Sequence, residues 1–163
     1  MCGIYGSTIA YNDETIREKM ARISFRGPDY TGIQRYDKVV FAHNRLAIID
    51  LDPRSNQPFS YLHLHIVFNG EIYNYKDIRK DLEAKNYQFR TSSDTEVICA
   101  AYLAYGADCL SRFNGMFAFV IYDTLKNELF GARDRFGKKP FYYAHDHGDF
   151  EFASQPSQIS IHR

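Results

Sequence analysis

Residues 116–154 read MFAFVIYDTLKNELFGARDRFGKKPFYYAHDHGDFEFAS. Four runs within it, 116–123, 128–134, 140–146 and 149–154, are rich in aromatic and β-branched residues and read as strands. Turn residues separate them at 125–127, 136–139 and His147-Gly148. The run 117–121 is apolar at every position, so this strand is expected to be covered on both faces rather than to alternate between core and water.

Upstream, helical and extended patterns interleave. A short apolar run from Cys2 to Tyr11 carries Gly3 and Gly6, after which Asn12 and Asp13 can cap a helix with Ile16, Met20 and Ile23 on one face. Arg26-Gly27-Pro28-Asp29 must end it. Strands are predicted over 32–36, 39–50 and 63–68. Asn69-Gly70 then reads as a two-residue hairpin turn, with 71–73 extended beyond it. A second helix is predicted over about 75–85. A third begins near Asp94, where Ser93-Asp94-Thr95-Glu96 fits a capping box. These patterns predict an α+β domain with hairpin-connected antiparallel strands but leave the layer order open.

Composition narrows the function. The 163 residues fit one domain, and their apolar (45%) and charged (25%) fractions are ordinary for a globular chain. Lys+Arg and Asp+Glu are both 20, with no basic stripe, so nucleic acid is not an expected partner. No apolar run approaches the ~18 residues of a membrane span, and no basic-then-apolar leader opens the chain. Three cysteines without CxxC spacing argue against a disulfide framework or a zinc site, and a cytoplasmic setting is expected.

Cys2 is the first candidate nucleophile. If Met1 is removed, a terminal amine with a reference pKa of about 7.7–8.0 sits on the same residue as the thiol and can serve as its general base. With Met1 attached that nitrogen is an amide and has no useful basicity. Position alone also allows Cys2 to be an inert thiol in an apolar strand.

Seven motifs in fixed order change that balance: MCGIYG at 1–6, RGPDYTG at 26–32, AHNRLAIIDL at 42–51, FNGEIYNY at 68–75, SDTEVI at 93–98, NGMFAFVIYD at 114–123 and ARDRFGKKPFYY at 132–143. Together they resemble the glutaminase domain of class II glutamine amidotransferases, specifically that of the glutamine-hydrolysing asparagine synthetases, from Cys2 to about Ser154. The resemblance implies an N-terminal nucleophile hydrolase fold, a four-layer αββα sandwich of two antiparallel sheets, here possessing fewer strands at its C-terminal end. It implies hydrolysis of the glutamine side-chain amide to glutamate and ammonia through a thioester on Cys2. Asn69 and Gly70 then correspond to the oxyanion hole. Arg45 corresponds to the clamp on the α-carboxylate of glutamine, and Asp94 to the partner of its α-ammonium. Ile48 and Glu71 correspond to positions whose backbone lines the glutamine pocket. Neither metal nor cofactor is implied for the hydrolysis. ATP and Mg belong to a synthetase domain, present in cis or in trans, that would receive the ammonia.

Other features keep their structural readings. Cys99 and Cys109 are expected in the core. His63 and His65, like His145 and His147, lack a third ligand at metal spacing. Arg133-Asp134-Arg135 and Lys138-Lys139 are read as a strand-and-turn feature of the fold. Phe25 stands where many relatives have His before RGPD, and FASQ stands where FASE is usual. The chain 1–163 is expected to be the glutaminase domain without the synthetase domain. A catalytically inactive glutamine-binding or interaction module, an amidotransferase domain serving a different acceptor, and a homodimer remain open at this stage.

Overall fold

Phe117, Phe119 and Ile121 point into one core while Ala118, Val120 and Tyr122 point into another, and all six are buried. This is the two-sided coverage that an uninterrupted apolar run demands. The strand that carries them is the spine of a computed structural model that describes residues 1–161. The last two residues of the expected span 1–163 lie outside the described residues.

Among the described residues there are nine strands and three α-helices. In chain order they are β1 (Gly3–Ser7), α1 (Asp13–Ala21), β2 (Tyr30–Arg35), β3 (Val40–Arg45), β4 (Phe59–Tyr61), β5 (Leu64–Ile72), α2 (Tyr75–Glu83), α3 (Asp94–Tyr105), β6 (Gly115–Asp123), β7 (Glu128–Arg133), β8 (Tyr142–Asp146) and β9 (Asp149–Ala153). One sheet runs β2-β3-β1-β9-β8 and the other β4-β5-β6-β7; every pairing is antiparallel.

Three apolar cores fix the layers. Ile16, Met20 and Ile23, from α1 and the turn after it, pack on Tyr5, Val40, Ala42 and Ala153 of the first sheet. Ile4, Phe41 and Phe152 meet Val67, Val120 and Tyr122 between the sheets. Ile78, Leu82, Val97 and Ala101, from α2 and α3, cover Ile66, Phe68, Phe119 and Ile121 on the far side of the second sheet. The order is therefore helix, sheet, sheet, helix, as the resemblance implied.

Local expectations fared unevenly. Asn12 caps α1 by accepting from the backbone N–H of Thr15 at 2.8 Å. Ser93 caps α3, but Glu96 does not complete the box. Its carboxylate instead accepts from the backbone N–H groups of Arg90 and Thr91 and from the Thr91 hydroxyl, tying the preceding loop to the helix. β3 stops at Arg45 rather than running to 50.

The Asn69-Gly70 turn does not form. Both residues lie inside β5, which pairs with β6 without a break from Leu64↔Asp123 to Ile72↔Gly115. Gly70 is required there for another reason: its φ is +151°, and a Cβ would sit 2.1 Å from the Met116 carbonyl oxygen. Nor do β7 and β8 form a hairpin, since they belong to different sheets. Asp134 organises the crossing between them, accepting from the backbone N–H groups of Phe117, Phe136, Lys138 and Lys139.

Candidate active site

β1 is the middle strand of its sheet, and Cys2 stands directly before it, facing a cavity of about 150 Å³. All seven residues singled out from the sequence line this cavity: Cys2, Arg45, Ile48, Asn69, Gly70, Glu71 and Asp94. They arrive from just before β1, the end of β3 and the loop after it, the C-terminal half of β5, and the N-terminus of α3. The facing sheets thus converge on one spot.

Cys2 is half-buried. Its sulfur accepts from the backbone N–H of Leu46 at 3.3 Å and lies 3.6 Å from the Leu46 carbonyl oxygen. Arg26 fixes its backbone, donating from Nε to the Cys2 carbonyl oxygen at 3.0 Å. Burial pushes the thiol above its ordinary range; the Leu46 N–H, the N-terminal ammonium, Arg45 and Lys139 pull the other way. Met1 lines the same cavity.

Asn69 is the most informative residue. It is 1% exposed, and neither Oδ1 nor Nδ2 of its amide has a hydrogen-bond partner. Leaving such a group unpaired costs roughly 1–3 kcal/mol, a cost that a ligand with a complementary oxygen would remove. The strand beneath is held in place by two neighbours. Gln57 Oε1 accepts from the backbone N–H of Phe68 at 2.6 Å. His43 Nε2 lies 3.0 Å from the Phe68 carbonyl oxygen, which can only accept, so Nε2 carries the proton. Burial holds His43 down to about 4, so the ring is neutral at pH 7.

Asp94 is 5% exposed at the first position of α3, and its Oδ2 accepts from the Ile72 N–H at 3.0 Å. Burial pushes it up to about 6, with Glu71 adding to the rise and backbone N–H groups opposing it. Arg45, 7% exposed, is already occupied: its guanidinium donates to the carbonyl oxygens of Asp50 and Asp52 and to Asn56 Oδ1 at 2.6 Å, binding the loop that follows β3. Ile48 on that loop turns its side chain outward, 68% exposed, so it can meet a cavity ligand chiefly through its backbone.

Several residues at or beside the cavity escaped the sequence reading. Leu46 acts through its backbone, which no residue-type pattern reveals. Arg26 belongs to the RGPD motif but is read there as a helix end. Lys139 reads as part of a structural turn, and its backbone is bound by Asp134 and Arg133, yet it also lines the cavity. The core reading of the two remaining cysteines fits what is observed. Cys99 and Cys109 are fully buried, His65 pairs with Ser60, and among the described residues no group of three or more His, Cys, Asp or Glu could hold a metal. Phe25 is 71% exposed. No helix is long and apolar enough to cross a membrane among the described residues.

Comparison with known proteins places these features in a family. Residues 1–163 match the glutamine amidotransferase domain. Asparagine synthetase [glutamine-hydrolyzing] 3 of Bacillus subtilis is 38% identical over 99% of this chain and 28% of its own length. Asparagine synthetase B of Escherichia coli is 37% identical over 95% of this chain and 29% of its own. This chain thus spans less than a third of those relatives. In fold, it superposes with a TM-score of 0.81 on glutamine phosphoribosylpyrophosphate amidotransferase of B. subtilis, at 22% identity over 96% of this chain and 42% of that one. With a family match along its whole length and a cysteine at the head of the central strand, this chain belongs to the glutamine amidotransferase domain family.

Proposed function

We propose that this chain hydrolyses the side-chain amide of glutamine to glutamate and ammonia, and that the ammonia serves an ATP-dependent, asparagine-synthetase-like amidation in a synthetase domain, in cis or in trans. The observation that carries the reading is the unpaired Asn69 amide, buried beside Gly70 in the cavity that holds Cys2. After removal of Met1, the Cys2 amine takes the thiol proton and sulfur attacks the amide carbon. Asn69 Nδ2 and the Gly70 N–H donate to the oxygen that becomes negative. The carbon–nitrogen bond breaks, the amine returns the proton to the leaving nitrogen, and ammonia departs. Water then cleaves the thioester, releasing glutamate and the thiol.

Asp94 receives the α-ammonium of glutamine. Arg45 receives the α-carboxylate by exchanging a loop carbonyl for it, which links substrate binding to the conformation of residues 46–56. Glu71 and Ile48 line the pocket. No metal or organic cofactor takes part in these steps; ATP and Mg serve the synthetase reaction. A cytoplasmic setting suits the free thiols.

The test is ammonia release from glutamine by purified protein, with a Cys2→Ala variant and an intact mass of the same sample. Activity in material lacking Met1, abolished in the variant, is expected. Absence of activity in protein that lacks Met1 and binds glutamine would favour a binding module instead.

A further inference from the structure

Lys139 is 5% exposed, and its side chain lines the cavity around Cys2. Among the described residues, nothing accepts a hydrogen bond from its Nζ. The backbone at this position is nevertheless fixed at both ends. Its N–H donates to Asp134 Oδ2 at 3.0 Å, and its carbonyl oxygen accepts from Arg133 Nε at 2.5 Å. A rigid turn therefore delivers an ammonium group into a half-closed site and gives it no acceptor of its own.

We propose that the Lys139 ammonium is the counter-charge of the Cys2 sulfur, a positioning residue that favours the thiolate within an otherwise desolvating cavity. This rests on the glutaminase reading for its purpose but on the cavity for its geometry.

The surrounding charges support the pairing. The charged groups on the cavity wall, besides Lys139, are the N-terminal ammonium of Met1, Arg45 at the end of β3, Glu71 in β5 and Asp94 in α3; Arg26 after α1 and Asp134 in the turn that carries Lys139 act on it from behind that wall. Arg26 donates from Nε to the Cys2 carbonyl oxygen and keeps an unpaired Nη2, while Arg45 is bonded to the carbonyl oxygens of Asp50 and Asp52 and to Asn56 Oδ1. Asp134 is spent on four backbone N–H groups. Of the two side-chain cations that line the cavity, Arg45 is paired and Lys139 has no hydrogen-bond acceptor among the described residues. Burial and the nearby Arg26 push its own titration down, whereas Cys2, Asp134 and Glu71 push it up.

The experiment follows alkylation of Cys2 by iodoacetamide against pH in the whole chain, comparing wild type with Lys139→Met and Lys139→Arg. Site occupancy is read by peptide mass, and folding by circular dichroism. Removing an opposite charge is expected to raise the thiol midpoint by about one unit, so alkylation at pH 7 falls about tenfold in Lys139→Met. Lys139→Arg is expected to stay within about threefold of wild type. An unchanged midpoint in folded Lys139→Met, or equal losses in both variants, would overturn the proposal. The readout needs no glutamine. A shifted midpoint in a chain that fails to hydrolyse glutamine would therefore sink the functional reading while sustaining the role of Lys139.

Discussion

Asn69 holds a side-chain amide in the interior with no partner for either polar atom. Asn69→Ala therefore removes an unpaired group and is expected to leave the melting temperature unchanged or higher, while glutamine turnover falls by roughly 10²–10³ in kcat with little change in KM. Steady-state kinetics beside a thermal melt separate the two effects. Asp94 has a similar opposition between stability and use. Its carboxyl titrates near 6 when folded, above its ordinary value of 3.8. The native state then keeps a proton that the unfolded chain releases, so this residue's contribution to stability declines as pH rises from about 4 to 6, and its charged form is a cost at neutrality. Asp94→Asn keeps the acceptor for Ile72 and is expected to stabilise the empty protein by about 1–2 kcal/mol. In wild type, the glutamine KM is expected to rise as pH falls through about 6, where the anion that meets the α-ammonium disappears. A KM flat between pH 5 and 7.5 would contradict that role. At this scale, the seven residues that motif order singled out all line the cavity. Residue type and motif order did not reveal Leu46, whose part is played by a backbone N–H, or Lys139, whose direction depends on a turn closed on the Asp134 carboxylate.

Among the elements, β5 and β6 decide the geometry of the site. Their pairing sets the Met116 carbonyl against Gly70, leaving no room for a Cβ at a φ of +151°. Gly70→Ala is expected to cost at least about 2 kcal/mol and to displace the neighbouring Asn69 amide. Chemical denaturation would measure the first effect and loss of glutamine hydrolysis the second. The same glycine misleads a local reading. Asn-Gly between two extended runs is the signature of a tight hairpin, but β5 runs straight through because β6, more than forty residues later, supplies a partner along its full length. Helix positions were easier to read because their signals are local: Asn12 caps α1, and 3.6-residue spacing marks the buried faces of α1 and α2. The crossing from β7 to β8 was not legible, since two strands separated by a turn look alike whether they share a sheet or change sheets.

For the molecule as a whole, the outer face of the first sheet carries a buried charged cluster. Lys19 Nζ lies 3.1 Å from Glu151 Oε1, which also accepts from the Tyr5 hydroxyl at 2.6 Å; Glu151 Oε2 accepts from the N–H groups of Ser160 and Ile161. Burial alone would raise this carboxyl, but these donors more than offset it and hold it below its ordinary value. Its stabilising contribution is therefore complete above the ordinary glutamate range and is lost as pH falls through the lowered folded value. Lys19→Met is expected to cost about 3 kcal/mol by leaving the carboxylate short of a charged partner. Its melting temperature should converge with that of wild type in strong acid, where both carboxyls are protonated. Apolar patterning announced that such a molecule needs covered sheets. The sequence of layers came only with the family resemblance, because periodicity says which face is buried and not what buries it.

The placement of β1 has a consequence for biosynthesis. Its register with β3 joins residues about forty positions apart, whereas its register with β9 joins Tyr5 to Ala153 and Ser7 to Glu151. Ile4 exchanges hydrogen bonds with Ser154 across nearly the whole chain. A ribosome releases the first residues at the start of synthesis and residues 149–154 only near the end of the stretch seen here. For almost all of that interval the strand that presents Cys2 lacks one of its two neighbours. An aminopeptidase that removes Met1, as the proposed mechanism requires, would thus meet a strand not yet locked into its sheet, before the cavity closes around the sulfur.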